Sequence, residues 1–516
     1  MRREDIRGER AAASRASAKR VPCVKKQVVE NERPDESLDM TDDELRELSE
    51  QSVALVSDYF ARVASLPVFP ATDAARVSNR LRTSLPIEGE PLAALMEDCR
   101  AVIEASRHNG HPRFFGYVAS PSTPAGAFAD LIASALNANV TSWRSAPAAT
   151  EVERTAVRWL GSLIGYDEDA RGLLTSGGSM ANLNALYVAH RVKAGDETSR
   201  RGLWTAGRPA TVYSSDQVHL SVVKAADVLG LGREQVRLVP TDGRLRLDVR
   251  SLRERIAADT NEGLRPFCVV ANAGTVNTGA VDPLRDVADV AAEHDLWLHV
   301  DGAYGALAAM DETKRALFEG IDRADSVSLD PHKWLYAPVD AGCLLFRDER
   351  AVKSAFQSLD ADYIKVHERQ DEEAFAFWDY GVELSRRFRA LKIWLMLRYY
   401  GTRRVAAAIA KDNRLAAELG ALVNAADDFE LLAPVELSIC CFRYVPHGAR
   451  SDEELNELNA RVMHRVQRGG RAYLSNAVIG GRYGLRACVT NFRTTSGDML
   501  ATLDIVREAA HSLAVD

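Results

Sequence analysis

From Met40 onward the chain carries two alternating patterns of apolar and polar positions. "TDDELRELSEQSVALVSDYFARVASL" sets apolar residues at helical spacing behind a Thr/Asp start, which predicts a capped amphipathic helix. Between residues 150 and 350, helical stretches such as "SMANLNALYVAHRVKA" alternate with short β-rich runs, among them "ATVYSS", "PFCVVANAGT", "LWLHVDGAYG", "SVSLD" and "GCLLFRD". This alternation predicts an α/β fold with a mostly parallel sheet covered by helices, because parallel neighbours need a crossover between them. After the helix-like "SRRFRALKIWLMLRYYG", strands such as "ELSICCFRY" and "YGLRACVTN" mix with helices in a smaller α+β domain. There is no internal repeat.

The first 39 residues are polar and dense in charge, with almost no periodic apolar positions, so they cannot bury enough surface to offset the entropy of ordering. The pattern therefore divides the chain into a disordered tail (1–39), an N-terminal helical segment (40–122), a large domain (123–392) and a small C-terminal domain (393–516). The tail is rich in Arg and Ser, as transit peptides are, but Glu4, Asp5 and Glu9 count against that reading.

Composition narrows the function class. Of 516 residues, 46% are hydrophobic and 27% charged, as in ordinary globular proteins. The net charge of −8 argues against a nucleic-acid or membrane-surface binder, which needs a cationic face. Seven cysteines lie scattered apart from the pair Cys440–Cys441, with no CxxC and no metal-ligand spacing; a reducing compartment and no structural metal are expected. No apolar run approaches the roughly 18–20 residues that span a bilayer. A cytoplasmic protein with a small-molecule partner is the resulting expectation.

In open α/β sheets ligands bind beyond the carboxyl ends of strands, so the residues that close each β-run are the ones to inspect. "LLTSGGSMANLNAL" ends a strand in a Ser/Gly turn that opens a helix, an arrangement suited to phosphate: Gly177 and Gly178 permit close approach and Ser179 adds a hydroxyl. "HVDGAYG" puts Asp301 at the end of an apolar strand, where a carboxylate needs a partner such as a cationic ring nitrogen. Lys333 closes "SVSLDPHK" in the same way, 32 residues later. Desolvation would favour its neutral amine, which can condense with an aldehyde as a Schiff base. His332 beside it can reach a phosphate. Each feature alone has a purely structural reading, but together they are what pyridoxal 5′-phosphate requires.

The runs "SDQVHLSVVKA", "ANAGTVNTGAVDPL", "HVDGAYG", "DPHKW" and "SRRFRALKIW" closely resemble, in that order, motifs of the group II pyridoxal-phosphate-dependent decarboxylases, the family of aromatic-L-amino-acid, tyrosine and glutamate decarboxylases. The resemblance covers about residues 45 to 512. It implies a fold type I enzyme with a mostly parallel seven-stranded sheet, and a homodimer in which residues 137–143 reach into the partner's site. It also implies that His219 stacks on one face of the cofactor ring and Ala303 packs on the other. Asp301 would pair with the pyridine nitrogen, Thr275 lie near the ring's polar edge, Lys333 form the covalent link, and Gly178, Ser179 and His332 hold the phosphate. The polar stretch "QSLDADYIKVHERQDEEAFAFWDYG" reads as a lid, and the resemblance makes Tyr363 within it the group that returns a proton to the substrate Cα. Related aldehyde synthases commonly replace that Tyr or the stacking His; this chain keeps both, which favours simple amine formation.

Substrate residues are less defined. Arg486 on "YGLRACVTN" is a candidate partner for the substrate α-carboxylate or else a salt bridge fixing the small domain, and Phe115 and Tyr117 are candidates to pack on an aromatic ring or else core residues. Gly110, Val118, Asn139 and Thr141 depart from the animal aromatic decarboxylases toward smaller or more polar side chains, and Ser385 matches plant members that act on phenolic substrates. An aromatic L-amino acid is the first expectation, with acidic or aliphatic amino acids as alternatives.

Overall fold

The computed structural model describes residues 37–167, 169–194, 198, 201–205, 207–356, 374–448 and 450–515. The expected tail lies almost wholly outside the described residues, as does Tyr363. Residues 1–53 and 54–516 form separate compact units. The described part of the first is the start of the helix Asp42–Arg62, capped as its sequence predicts: Glu44 N–H donates to Thr41 Oγ1 (3.2 Å) and Thr41 N–H to Glu44 (2.7 Å).

The second unit holds two sheets. Strands β1 (Arg171–Thr175), β2 (Ala210–Ser215), β3 (Val236–Val239), β4 (Arg265–Asn272), β5 (Trp297–Asp301), β6 (Ser326–Leu329) and β7 (Gly342–Phe346) form a seven-stranded sheet in the order β1-β7-β6-β5-β4-β2-β3. All neighbours are parallel except β7, which runs against both β1 and β6. Strands β5, β6 and β7 are buried at every position, because helices cover both faces of the sheet. One is Gly178–Ala194, which crosses β4, β5, β6 and β7. Its Ala181, Ala185 and Ala189, spaced one turn apart, are fully buried and allow the helix to lie close.

Strands β8 (Phe429–Leu431), β9 (Ile439–Tyr444), β10 (Ser475–Ile479) and β11 (Arg482–Cys488) form an antiparallel sheet in the order β10-β11-β9-β8. The helices Thr402–Ala425 and Asp452–Arg468 pack on it and close a second core around Leu419, Phe442, Val462 and Leu485. No helix among the described residues is long and apolar enough to cross a membrane.

Because β7 is antiparallel to both neighbours, β1 points the same way as β4, β5 and β6. Thr175, Asn272, Asp301 and Leu329 therefore end their strands at one edge of the large sheet.

Candidate active site

A cavity of ≈ 380 Å³ opens at that edge, within the range of small-molecule sites. Ser176, Gly177, Gly178 and Ser179 line one side of it, where β1 turns into the helix Gly178–Ala194. The first N–H groups of a helix have no preceding carbonyl to bond, so this turn offers donors to an anion. A Cβ on Gly178 would stand 2.9 Å from Ala303 Cβ and 3.1 Å from Asp330 Oδ2. Only glycine keeps this side of the cavity open.

Asp301 and His219 also line the cavity, and one polar chain joins them. Asp301 is 7% exposed; its Oδ1 accepts from Ala303 N–H and Ser328 Oγ–H (both 3.1 Å) and its Oδ2 from Asn182 Nδ2 (2.8 Å). Burial alone would raise this carboxyl, but His299, His219 and Lys333 with the Asn182 amide outweigh it and hold it below the ordinary value. A carboxylate only accepts, so the Asn182 amino group faces Asp301 and its Oδ1 must take the proton of His299 Nε2 (3.0 Å). The same amino group donates to Ser221 Oγ (2.9 Å). Ser221 N–H donates to His219 Nδ1 (3.2 Å) and its hydroxyl lies 2.7 Å from the same atom. Nδ1 is thus the acceptor, and the His219 proton sits on Nε2. Burial pushes the His219 pKa down, so the ring is neutral at pH 7.

Lys333 sits on the short helix Pro331–Trp334 after β6. Its Nζ is 2.8 Å from Asp330 Oδ2, and His332 Nε2 is 3.8 Å from the same oxygen. The other Asp330 oxygen is buried without a hydrogen-bond partner among the described residues. This corrects the expectation of a neutral amine: burial lowers the Lys333 pKa, but the charge and hydrogen bond of Asp330, reinforced by Asp301, raise it overall. The His332 ring is pinned by the Ala341 backbone at 2.8 and 3.1 Å.

Lys333, Asp301, His219, Gly178, Ser179, Ala303 and His332 therefore meet in one cavity. Thr275 does not line it, although Gly274 and Val276 on either side do; its hydroxyl faces Thr278 Oγ1 (3.0 Å). Phe115 is fully buried in the core that the four-stranded sheet closes and does not line the cavity, which accords with the packing alternative. Tyr117 is 53% exposed, next to the cavity residue Val118, and its ring shares the Arg107 guanidinium with Phe114 and Tyr473. Arg486 forms no salt bridge among the described residues, against the structural alternative. It donates to the carbonyls of Tyr117 (2.7 Å) and Asn277 (3.2 Å), and its Nη2 is buried without a partner among those residues. It does not line the cavity.

Asp330, Asn182, Ser221 and Ser328, and Tyr304 on the cavity wall, are not among the residues singled out from the sequence. Asp330 carried the same signal as Asp301, a carboxylate closing an apolar strand. Asn182, one turn after Gly178, follows from the helical repeat once Gly178 is put at the cavity.

The donor set fits pyridoxal 5′-phosphate: a helix-start turn and hydroxyls for the phosphate, a buried carboxylate for the ring nitrogen, and an amine for the aldehyde. Residues 75–445 match the pyridoxal-dependent decarboxylase conserved domain. The chain is 38% identical over 481 residues to an aromatic-L-amino-acid decarboxylase of Bacillus atrophaeus, covering 93% of this chain and 98% of that one. It is 30% identical to a phenylacetaldehyde synthase of a Rosa hybrid cultivar, covering 91% and 94%. The crystal structure of Oryza sativa TDC with PLP and tryptamine superposes with a TM-score of 0.85 at 31% identity, covering 92% of this chain and 99% of that one. The chain belongs to the pyridoxal-dependent decarboxylases; it is a carboxy-lyase of fold type I, with pyridoxal 5′-phosphate as its cofactor.

Proposed function

We propose that this enzyme decarboxylates an aromatic L-amino acid to the amine and CO2. The convergence of Asp301, Lys333, His219 and the Gly178 turn in one cavity carries the reading, and the names of the similar proteins supply the aromatic class. When bound, the cofactor supplies an electron sink for the pair left at Cα as CO2 departs.

In this reading the chain's residues divide the work. Gly178, Ser179 and His332 hold the phosphate. Asp301, ionised and fixed by Asn182, Ser328 and Ala303 N–H, keeps a proton on the ring nitrogen. Lys333 provides the covalent link, His219 and Ala303 bracket the ring, and Thr275 acts through the Gly274–Val276 wall it supports. Tyr363 returns a proton to Cα. Arg486 is the proposed partner of the substrate carboxylate, supported by a guanidinium with no acid beside it among the described residues, and Tyr117 the proposed aromatic neighbour at the mouth. Residues 123–392 would form the cofactor domain and 393–516 the small domain, in a cytoplasmic enzyme.

A homodimer is part of the proposal. Leu131, Ile132 and Leu136 stand exposed on the helix Pro124–Leu136, which leads into residues 137–143; Val339, Val382 and Leu384 are exposed as well. So many large apolar side chains on a water-facing surface call for a cover, and a second copy supplies it. An active monomer by light scattering would overturn this.

Oxidative release of an aldehyde is the second reading, favoured by the similarity to a phenylacetaldehyde synthase. The test is CO2 release from a panel of L-amino acids with an oxygen electrode in the same vessel. Aromatic substrates should yield CO2 and amine without oxygen uptake; stoichiometric uptake would transfer the assignment to aldehyde formation.

A further inference from the structure

At the opposite edge of the large sheet, where β2 and β4 begin side by side, lies a second cavity of ≈ 380 Å³. The eight residues of β4 separate its floor from the cofactor cavity by about 25 Å. Its walls include His190 near the end of the helix Gly178–Ala194, Arg208 just before β2 and Arg265 at the first position of β4. Leu203, Pro209 and Leu231 make the apolar part.

The polar groups here are unbalanced. Arg265 Nε and Nη2 are buried without a hydrogen-bond partner among the described residues, and so is His190 Nε2. Among the described residues no carboxylate lines the cavity, and neither Arg208 nor Arg265 has an acidic partner. Burial and then the Arg208 charge push the Arg265 guanidinium down; burial with the charges of Arg265 and Arg191 brings His190 to about 4. A guanidinium whose nitrogens are buried with neither a hydrogen-bond acceptor nor a counter-ion among the described residues is unfavourable. Water could take its hydrogen bonds but not its charge.

We propose that this cavity binds a small phosphate-bearing anion, gripped by Arg208 and Arg265 with His190 as a third, uncharged contact. Two guanidinium forks match the several acceptor oxygens and double charge of a phosphate better than a single carboxylate. The volume exceeds that of the phosphate group, and Leu203, Pro209 and Leu231 suit the short organic part of a phosphomonoester. No residue is shared with the cofactor cavity, so the site stands whatever the substrate of the enzyme.

The test uses the enzyme loaded with pyridoxal 5′-phosphate, so that the cofactor's own phosphate site is filled. Equilibrium dialysis against radiolabelled inorganic phosphate, and in a second arm against glycerol phosphate, should show one saturable site per chain in the millimolar range or tighter. Arg265→Gln and Arg208→Gln should each weaken it about tenfold or more while the cofactor's visible absorbance is kept. Should Arg265→Gln fail to fold, the exposed Arg208 decides. Tighter binding of the monoester identifies the apolar wall as part of the site, and equal binding limits recognition to the phosphate; both sustain the proposal. Absence of saturable binding to the wild type, or unchanged binding in Arg208→Gln, overturns it.

Discussion

Asp330 and Lys333 form an ion pair on the turn that closes β6, with Oδ2 2.8 Å from Nζ. The carboxylate is 2% exposed and its other oxygen has no hydrogen-bond partner among the described residues, so the lysine is its main compensation. The pair aims the amine along the cavity wall but also keeps it protonated, and an ammonium ion cannot attack an aldehyde. Loading of the cofactor therefore requires the proton to leave Lys333.

Asp330→Asn removes the charge and keeps the side-chain shape. The Lys333 pKa, raised in the wild type, should fall, so more of the amine is neutral at a given pH. In apo protein mixed with pyridoxal phosphate, the pH profile for the rise of visible absorbance should move to lower pH. A profile identical to wild type would mean that Asp330 does not govern the amine.

Asp301→Asn replaces the buried negative charge with a neutral amide. Loss of the protonated ring nitrogen weakens the electron sink, and turnover should fall on the order of 10³-fold or more. Asn182→Leu should move in the same direction to a smaller extent, because it removes one hydrogen bond from Asp301 and the link to Ser221. Wild-type turnover in Asp301→Asn would refute the role.

Asp412, on the helix Thr402–Ala425, accepts from Tyr336 Oη (2.7 Å) and Trp334 Nε1 (3.1 Å), the two aromatic residues that follow Lys333. Burial pushes its pKa up from 3.8 to about 7. The folded state thus holds this proton more tightly than the unfolded chain, and stability should decline as pH rises from about 4 to about 7. Asp412→Asn keeps an acceptor and has no proton to lose, so its melting temperature should exceed that of wild type above pH 7 and converge with it in acid. Parallel curves at all pH values would contradict the assignment.

Tyr363→Phe separates the two chemistries open to this scaffold. Without its hydroxyl, proton return to Cα slows and dissolved oxygen gains time to take the electrons left there. Amine formation should fall while aldehyde, ammonia and peroxide rise, with substrate affinity little changed. Amine production at the wild-type rate without oxygen uptake would make Tyr363 a bystander.

Much of the site was legible because strand ends are legible: an apolar β-run that stops at Asp301 or at "DPHK" marks one sheet edge, whatever the tertiary detail. The alternating helices and strands likewise imposed the mostly parallel sheet. What could not be read depended on side-chain direction. Asp330 meets Lys333 only because the tight turn after β6 folds the carboxylate back on the amine. Phe115 and Tyr117, two positions apart, would share a face in a regular strand. The left-handed backbone at Tyr117 (φ 58°) breaks that period, leaving Phe115 in the core and Tyr117 exposed. The fully buried ion pair of Glu153 and Arg386, 233 residues apart, behind β1 had no local signature at all.

Borohydride reduction of the loaded enzyme, followed by peptide mapping, tests the role of Lys333 at its chemical root. The reduced pyridoxyl group should reside on Lys333 in the peptide spanning "DPHKW", and Lys333→Ala should be colourless and unlabelled. A label on any other lysine, or retained colour in Lys333→Ala, would contradict the assignment of this cavity as the catalytic site.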